Sequence, residues 1–238
     1  MFQIRSKTIG WGSLILFIVL MTGVTLLTAR AVFAEQKPLP VVSLVAVYYS
    51  FLTIHIVLAT IAVLAGILQF MPRIRNNHLQ VHRISGRIYV GCVFVSGVTA
   101  LFVALFTERF NEQIAFLTLD MLWLLSIWKA FRAIRQKQVA QHRLWMVRNY
   151  ALTLVAVFAR GIVPFMVLLQ LLKGPAPAGG FAALLDETLG TGVWLSIVLN
   201  LVLADWLVNR SQKLRRGVLS WTGDAGEEQL EAATAQTR

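Results

Sequence analysis

The chain has 238 residues, of which 57% are hydrophobic and only 14% charged, and its formal net charge is +11. Soluble domains carry roughly 25% charged residues, so this composition excludes an ordinary water-soluble domain and indicates a membrane protein. In a soluble protein the basic excess would suggest a nucleic-acid partner. Here the basic residues lie between apolar runs, which excludes that partner and points to membrane topology. The single cysteine excludes an internal disulfide and a CxxC metal site.

Six apolar segments are long enough, or nearly so, to cross the hydrocarbon core of a bilayer. They predict helices near 8–29, 41–71, 86–107, 113–131, 144–172 and 190–209. The first segment also resembles a signal peptide, whose cleavage would leave five helices, but its long apolar run favours an uncleaved helix. The predicted fold is all-α: an integral membrane bundle of about six transmembrane helices. It forms one domain over 1–216, followed by a polar cytoplasmic tail over 217–238.

The orientation of the bundle follows from the distribution of lysine and arginine. In this six-helix layout seventeen of them lie on one side and four on the other. Because basic loops stay in the cytoplasm, the basic side is predicted to be cytoplasmic, and both termini lie on it.

Two connecting segments on the basic side share a pattern at an offset of 60 residues. Residues 74–84 read IRNNHLQVHRI, and residues 134–144 read IRQKQVAQHRL. The offset puts His82 and His142 at equivalent positions and at the same depth. It suggests two related helical hairpins about an axis along the membrane normal.

The two equivalent histidines are candidate ligands. Two neutral imidazoles on neighbouring helices can hold a haem b, so His82 and His142 are candidate haem or metal ligands, and Arg83 and Arg143 are candidate propionate contacts. His78 lies one helical turn before His82 and would complete a three-histidine metal set, but the repeat does not include it. A two-histidine site lacks the further ligand expected of zinc, so haem is preferred and no separate metal site is assigned. The alternative is that these histidines are interfacial residues bonded to backbone or lipid headgroups.

Polar side chains inside a bilayer are costly, so they are candidate functional residues. Asn149, Thr153 and Arg160 fall on one helical face, in line with the histidine of the second repeat, and form a polar stripe across most of the membrane. Asp120 is at a depth where it could pair with Arg160, either as a structural ion pair or as a substrate, propionate or proton-relay site. His55 lies near mid-membrane. It is interpreted as a relay group, as a quinone contact or as a core histidine whose hydrogen bonds are satisfied.

Two strings carry a family resemblance: HRISGRIYV over 82–90 and QHRLWMVRNYALTLVAVFAR over 141–160. They resemble the signatures of a prokaryotic multi-pass membrane family, domain-of-unknown-function family 2306. The resemblance covers roughly residues 48–160 and implies a bacterial cytoplasmic (inner) membrane location. The family has no established activity. Its pattern includes His55, His82, His142, Trp145, Arg148, Asn149, Tyr150 and Arg160. The layout is also broadly similar to two-haem cytochromes of the b561 type, but it lacks a full second histidine pair.

Three functions fit these observations. The first is membrane electron transfer through a haem b, with a quinone or a redox partner in the membrane. The second is a transporter, or a protein that binds lipid or a small molecule, using the polar stripe that reaches Arg160. The third is a structural or accessory membrane protein without a ligand site. Whether the chain is an enzyme is left open by its sequence.

Overall fold

The computed structural model describes residues 44–174 and 180–235, together with eight positions between 12 and 23. These residues are almost entirely helical, and no strand occurs among them. The helices are α1 Leu44–Phe70, α2 Pro72–Asn77, α3 Leu79–Leu105, α4 Phe110–Arg135, α5 Val139–Thr153, α6 Val155–Lys173 and α7 Gly180–Ala235. The predicted all-α fold is confirmed.

Five helices of the described chain are long and apolar enough to span a membrane. Their spans are Ala46–Phe70, Leu79–Leu105, Phe110–Arg135, Val155–Lys173 and Ala183–Arg210. Large apolar side chains face outward, as Phe110 (76% exposed) and Leu172 (75% exposed) show. Such a surface is costly in water and suits lipid, so the predicted membrane bundle is confirmed. The first predicted helix, near 8–29, lies largely outside the described residues.

Helices α3 and α5 begin earlier than the apolar runs that predicted them. The runs suggest starts near 86 and 144, whereas the helices begin at Leu79 and Val139. Their polar first turns are still helical, because the backbone amides of His82 and His142 donate to carbonyls four residues earlier at 3.1 and 2.9 Å. Each histidine is therefore the fourth residue of a helix and does not lie in a loop.

The predicted fifth segment consists of two helices that meet at Leu154. Hydrogen bonding passes through the junction, since Leu154 N donates to Tyr150 O at 3.1 Å and Phe158 N donates to Leu154 O at 2.9 Å. Further along, α6 contains Pro164, which lacks a backbone donor. Transmembrane helices tolerate such interruptions, because neighbouring helices can supply partners for the freed backbone groups.

Four helices form a ring in the order α1, α3, α4, α5. Each is adjacent to the next, and α5 closes the ring against α1. Helices α3 and α5, both described along their whole length, have no Cα atoms within 8 Å of each other, and the same holds for α1 and α4. They are therefore diagonal pairs. The offset of 60 residues carries α1 to α4 and α3 to α5, so each repeat unit contributes two neighbouring helices to the ring.

A tight turn sets where α5 starts. At the end of α4, Gln138 N donates to Ala133 O at 2.9 Å and Lys137 N donates to Ile134 O at 3.0 Å. This pair of bonds is the Schellman motif, with Lys137 in the left-handed conformation (φ 59°) that glycine usually supplies. The turn returns the chain at once, so the first turn of α5 lies against the last turns of α4.

The chain divides into two compact units, Met1–Leu201 and Val202–Arg238. In the first unit, α7 packs against the bundle: Asn200 Nδ2 donates to Ala151 O at 3.1 Å, and Trp194 Nε1 donates to Asn111 Oδ1 at 3.3 Å. The second unit is helical as far as Ala235, so the predicted polar tail is mostly helix.

Candidate functional site

The histidine pair of the repeat lies at the basic end of the bundle. His82 on α3 and His142 on α5 are both half-buried, and each is the fourth residue of its helix. The predicted equivalence of the two histidines therefore corresponds to the same position on two diagonal helices.

One hydrogen bond fixes the ring of His142. Its Nδ1 lies 2.9 Å from Ala130 O, on the last turns of α4. Because a carbonyl oxygen only accepts, Nδ1 carries the proton and donates it, and in the neutral ring Nε2 keeps a lone pair. Histidines that ligate metals or haem iron are commonly oriented by such a bond to a backbone carbonyl.

The ring of His82 has no equivalent bond. Its Nδ1 is buried without a hydrogen-bond partner, and it is the one side-chain atom in this state among the described residues. The backbone around it is nevertheless held: Gln69 Nε2 donates to His82 O at 3.2 Å and to Ser85 Oγ at 2.5 Å. A Cβ added to Gly86 would lie 3.2 Å from Gln69 Oε1, so glycine allows this close approach. The backbone of His82 is therefore held by hydrogen bonds, whereas Nδ1 of its ring lacks a hydrogen-bond partner.

His82 and His142 share a helix face with two residues that meet at the centre of the bundle. Seven residues further along each helix, Tyr89 OH donates to Asn149 Oδ1 at 2.6 Å. Tyr89 and Asn149 are themselves related by the offset of 60, so their contact places both near the axis that relates the hairpins. Seven residues are almost two whole turns, so each histidine shares a face with that contact residue and lies about 10 Å nearer the basic end.

A polar network fills the centre of the bundle above the histidines. Asn149 Nδ2 donates to Trp123 O at 2.9 Å and to Ser126 Oγ at 2.8 Å. Thr153 Oγ1 accepts from Trp123 Nε1 at 2.9 Å and lies 2.8 Å from Tyr89 OH. All five side chains are at most 8% exposed. The network therefore links α3, α4 and α5 through buried, hydrogen-bonded side chains.

The network contains residues that sequence reasoning only partly found. Asn149 and Thr153 were predicted as members of a polar stripe. Trp123 and Ser126 were not, because an indole and a hydroxyl on an apolar helix look like ordinary packing residues. Their spacing of three residues, on the face of α4 that also holds Asp120, was the available signal.

His55 is hydrogen-bonded to α3 in the half of the bundle away from the basic end. Its Nδ1 lies 3.1 Å from Ser96 O and 3.0 Å from Ser96 Oγ, and Ser96 Oγ lies 3.0 Å from His55 O. Its ring is also edge-on to that of Trp123, with centroids 6.4 Å apart. These bonds join α1 to α3 and describe a histidine satisfied by its neighbours, which is one of the alternatives drawn from the sequence.

Asp120 and Arg160 are not brought together. Asp120 is buried at 5% exposure on α4. Arg160 Nη1 instead donates to Ala156 O of its own helix at 2.6 Å. Both residues are described, and they do not form an ion pair with each other. The predicted polar stripe is buried at Asn149 and Thr153, whereas Arg160 at its far end is only half-buried and bonds within its own helix.

The remaining candidates lie on the outside. Arg83 and Arg143 are exposed, each one residue beyond a histidine. His78 is exposed at the cap of α3. Across the described residues no group of three histidine, cysteine or acidic side chains could hold a metal ion, so His78 does not complete a set with His82 and His142.

A helical bundle with five candidate spans and a buried polar network belongs to the class of multi-pass membrane proteins. More narrowly, the chain belongs to the family described as predicted membrane protein DUF2306, whose profile matches residues 52–208. The family resemblance drawn from the sequence is confirmed, and the match spans both histidines and the network. Searches of curated proteins and of solved structures found no match.

Proposed function

We propose that this membrane protein transfers electrons through one haem b held between His82 and His142. The observation that carries the proposal is the buried, unpartnered Nδ1 of His82 on the helix diagonally opposite His142. A buried polar atom without a partner costs on the order of 1–3 kcal/mol, and a bound group that accepts the lone pair of this nitrogen would offset that cost.

The donor set suits haem b. His142 presents Nε2 with its lone pair, because Nδ1 is engaged by Ala130 O. The diagonal helices have no Cα atoms within 8 Å, and cofactors in helical bundles are commonly bound between such facing helices. Arg83 and Arg143 follow the histidines and supply cations for propionates. When bound, haem b supplies a one-electron iron couple whose potential the axial ligands and nearby charges set.

The electron partner is proposed to be a quinone, or a redox protein in the same membrane. Of the other functions that the sequence allowed, transport along the stripe to Arg160 gains no support, because the network fills the bundle centre and Arg160 bonds within its own helix. An accessory role without a ligand site would be favoured if the folded chain binds no haem in the following experiment.

The test is an absorption spectrum of the detergent-purified full chain, as isolated and after titration with haemin. We expect a Soret band that is lost in His82→Ala and in His142→Ala, since one remaining imidazole binds haem much more weakly. His78→Ala is the matched control, because His78 is exposed and lies outside the diagonal pair, and it should keep the band.

A second variant separates ligand loss from misfolding. His82→Met retains an axial donor and should bind haem with a shifted spectrum and a raised reduction potential. A native chain that is monodisperse and helical yet stays colourless with excess haemin would overturn the proposal. So would a His78→Ala variant that loses haem as completely as His82→Ala.

We also propose that the basic end faces the cytoplasm of a bacterial inner membrane. The single native cysteine makes this measurable. In a Cys92→Ala background, Arg109→Cys should react with a membrane-impermeant maleimide in intact spheroplasts, and Lys137→Cys should react only after lysis. The reverse labelling pattern would refute the orientation.

A further inference from the structure

Asp120 lies inside the membrane-spanning part of α4, and the haem proposal does not use it. The residue is buried against the bundle, with 5% of its surface exposed. It comes ten residues after Phe110 and fifteen before Arg135, the two ends of the helix, which is about 15 and 22 Å along the axis. A hydrocarbon core about 30 Å thick therefore encloses Asp120 wherever the core falls along α4.

The polar groups nearest to Asp120 along α4 are bonded to other groups. Trp123, one turn away, donates its Nε1 proton to Thr153 Oγ1 at 2.9 Å. The Ser126 hydroxyl donates to Trp123 O at 2.9 Å, and the Thr153 hydroxyl donates to Asn149 O at 3.0 Å. Each of these donors is used within the polar network, so none of them remains for a carboxylate at Asp120.

Asp120 also lacks a charged partner. Among the residues that the structure describes, none donates a hydrogen bond to its carboxyl group or acts on that group as a nearby charge. Glu112, in the first turn of the same helix, shows the contrast, because its carboxyl group lies 3.6 Å from Arg109. Helix α4 therefore carries one acidic group beside a cation and one that is buried away from cations.

Ionisable side chains from the surrounding helices are engaged with groups other than Asp120. Each of the following forms a hydrogen bond with a different residue: His55 on α1, Tyr89 on α3, Tyr150 on α5 and Arg160 on α6. Neither the imidazole nor the guanidinium of this set is therefore placed to balance a negative charge at Asp120.

An ionised Asp120 would be costly in this setting. A charged carboxylate inside a membrane is stabilised only where donors or cations replace water, and a buried group without them takes its neutral form instead. A proton can still reach the group. Some of its small exposed area belongs to the carboxyl oxygens, because among the described residues His82 Nδ1 is the one unpartnered side-chain atom that is fully covered.

We propose that Asp120 is a proton-binding site within the membrane, which carries its proton at neutral pH and exchanges that proton with water. The ligand is a proton and not a metal cation, because across the described residues no set of three acidic, histidine or cysteine side chains forms a metal site. A proton held at this depth can compensate a charge that another part of the bundle gains or loses. The site is independent of haem, since it uses neither histidine of the diagonal pair.

The test is infrared spectroscopy of the full-length chain in phosphatidylcholine nanodiscs at pH 7. In the native-minus-Asp120→Asn difference spectrum we expect the carbonyl band of a protonated carboxyl group, and this band should move to lower frequency in D₂O. Asp120→Glu keeps a carboxyl group and should shift the band without losing it. The matched control is Glu112→Gln, which should retain the protonated band and lose only carboxylate bands, because Glu112 lies beside Arg109.

Three results would overturn the proposal. The first is a native-minus-Asp120→Asn spectrum that contains carboxylate bands, since Asp120 would then be ionised at neutral pH. The second is a protonated band that does not move in D₂O, which would mean that the proton does not exchange. The third is loss of the band on addition of sodium ions, which would indicate a cation site. Arg160→Gln should leave the band unchanged, because the guanidinium bonds within its own helix; a band that appears only in this variant would show that Asp120 is ionised and paired with Arg160 in the native chain.

Discussion

Replacing Gly66 with alanine is expected to lower the free energy of unfolding by about 2–4 kcal/mol. Gly66 on α1 is covered by the ring of Tyr150 from α5, and a Cβ at this position would overlap ring atom Cε2. The ring cannot move aside easily, because Tyr150 OH donates to Val63 O at 3.1 Å and Phe70 packs on it at 5.0 Å between centroids. Overpacking typically costs 1–3 kcal/mol, and the loss of this hydrogen bond adds to it.

Thermal or denaturant unfolding of the purified chain measures this change. Gly91→Ala is the matched control, since a Cβ there would meet no atom within 4 Å, and it should be nearly neutral. The Tyr150→Leu background tests the cause: without the tyrosine ring, Gly66→Ala should cost much less than in the native chain. Equal costs in both backgrounds would show that the close approach of α1 and α5 is not responsible.

The second large effect is expected for Asn149→Leu, at about 2–4 kcal/mol. Asn149 is fully buried and makes three side-chain bonds, accepting from Tyr89 OH and donating to Trp123 O and Ser126 Oγ. Hydrogen bonds between membrane helices are worth roughly 0.6–1.7 kcal/mol each. Leucine removes all three bonds and leaves buried polar atoms with fewer partners.

Asn200→Leu provides the comparison for this substitution. Asn200 is also buried in a helix, at 4% exposure, but its side chain makes a single bond, to Ala151 O. We expect it to cost roughly a third as much as Asn149→Leu in the same unfolding assay. If the two variants lose equal stability, the bonds of the central network contribute little, and the site would be held by apolar packing instead.

Much of the architecture was predictable from the sequence because lipid imposes strong rules. Apolar length gives the spans, and the described helices follow the predicted segments from the second onward. Helix starts were less predictable. The polar first turns of α3 and α5 resemble loops, yet they remain helical because turns beyond the hydrocarbon core still satisfy their own backbone groups. That difference moved His82 and His142 from loops onto helices.

The candidate site also had features that the sequence could predict and features that it could not. The repeat predicted that His82 and His142 are equivalent, but it could not tell whether they are adjacent or diagonal. The depths of Asp120 and Arg160 allowed a pair that the structure does not contain. Depth along a helix can be counted from the sequence, whereas a contact also depends on the rotation of each helix about its axis. Packing with other helices sets that rotation.

The sequence by itself determined that this chain is an α-helical membrane protein of the DUF2306 family with a basic end and two similar segments 60 residues apart. Hydropathy, charge and spacing are local properties, so they can be counted along the chain. Only the tertiary structure decided that Tyr89 meets Asn149 at the centre, that His82 Nδ1 is left unpartnered, and that two cations share Trp145. Each of these features depends on how the helices pack: the first joins α3 to α5, the second rests on burial, and the third joins α4 to α5.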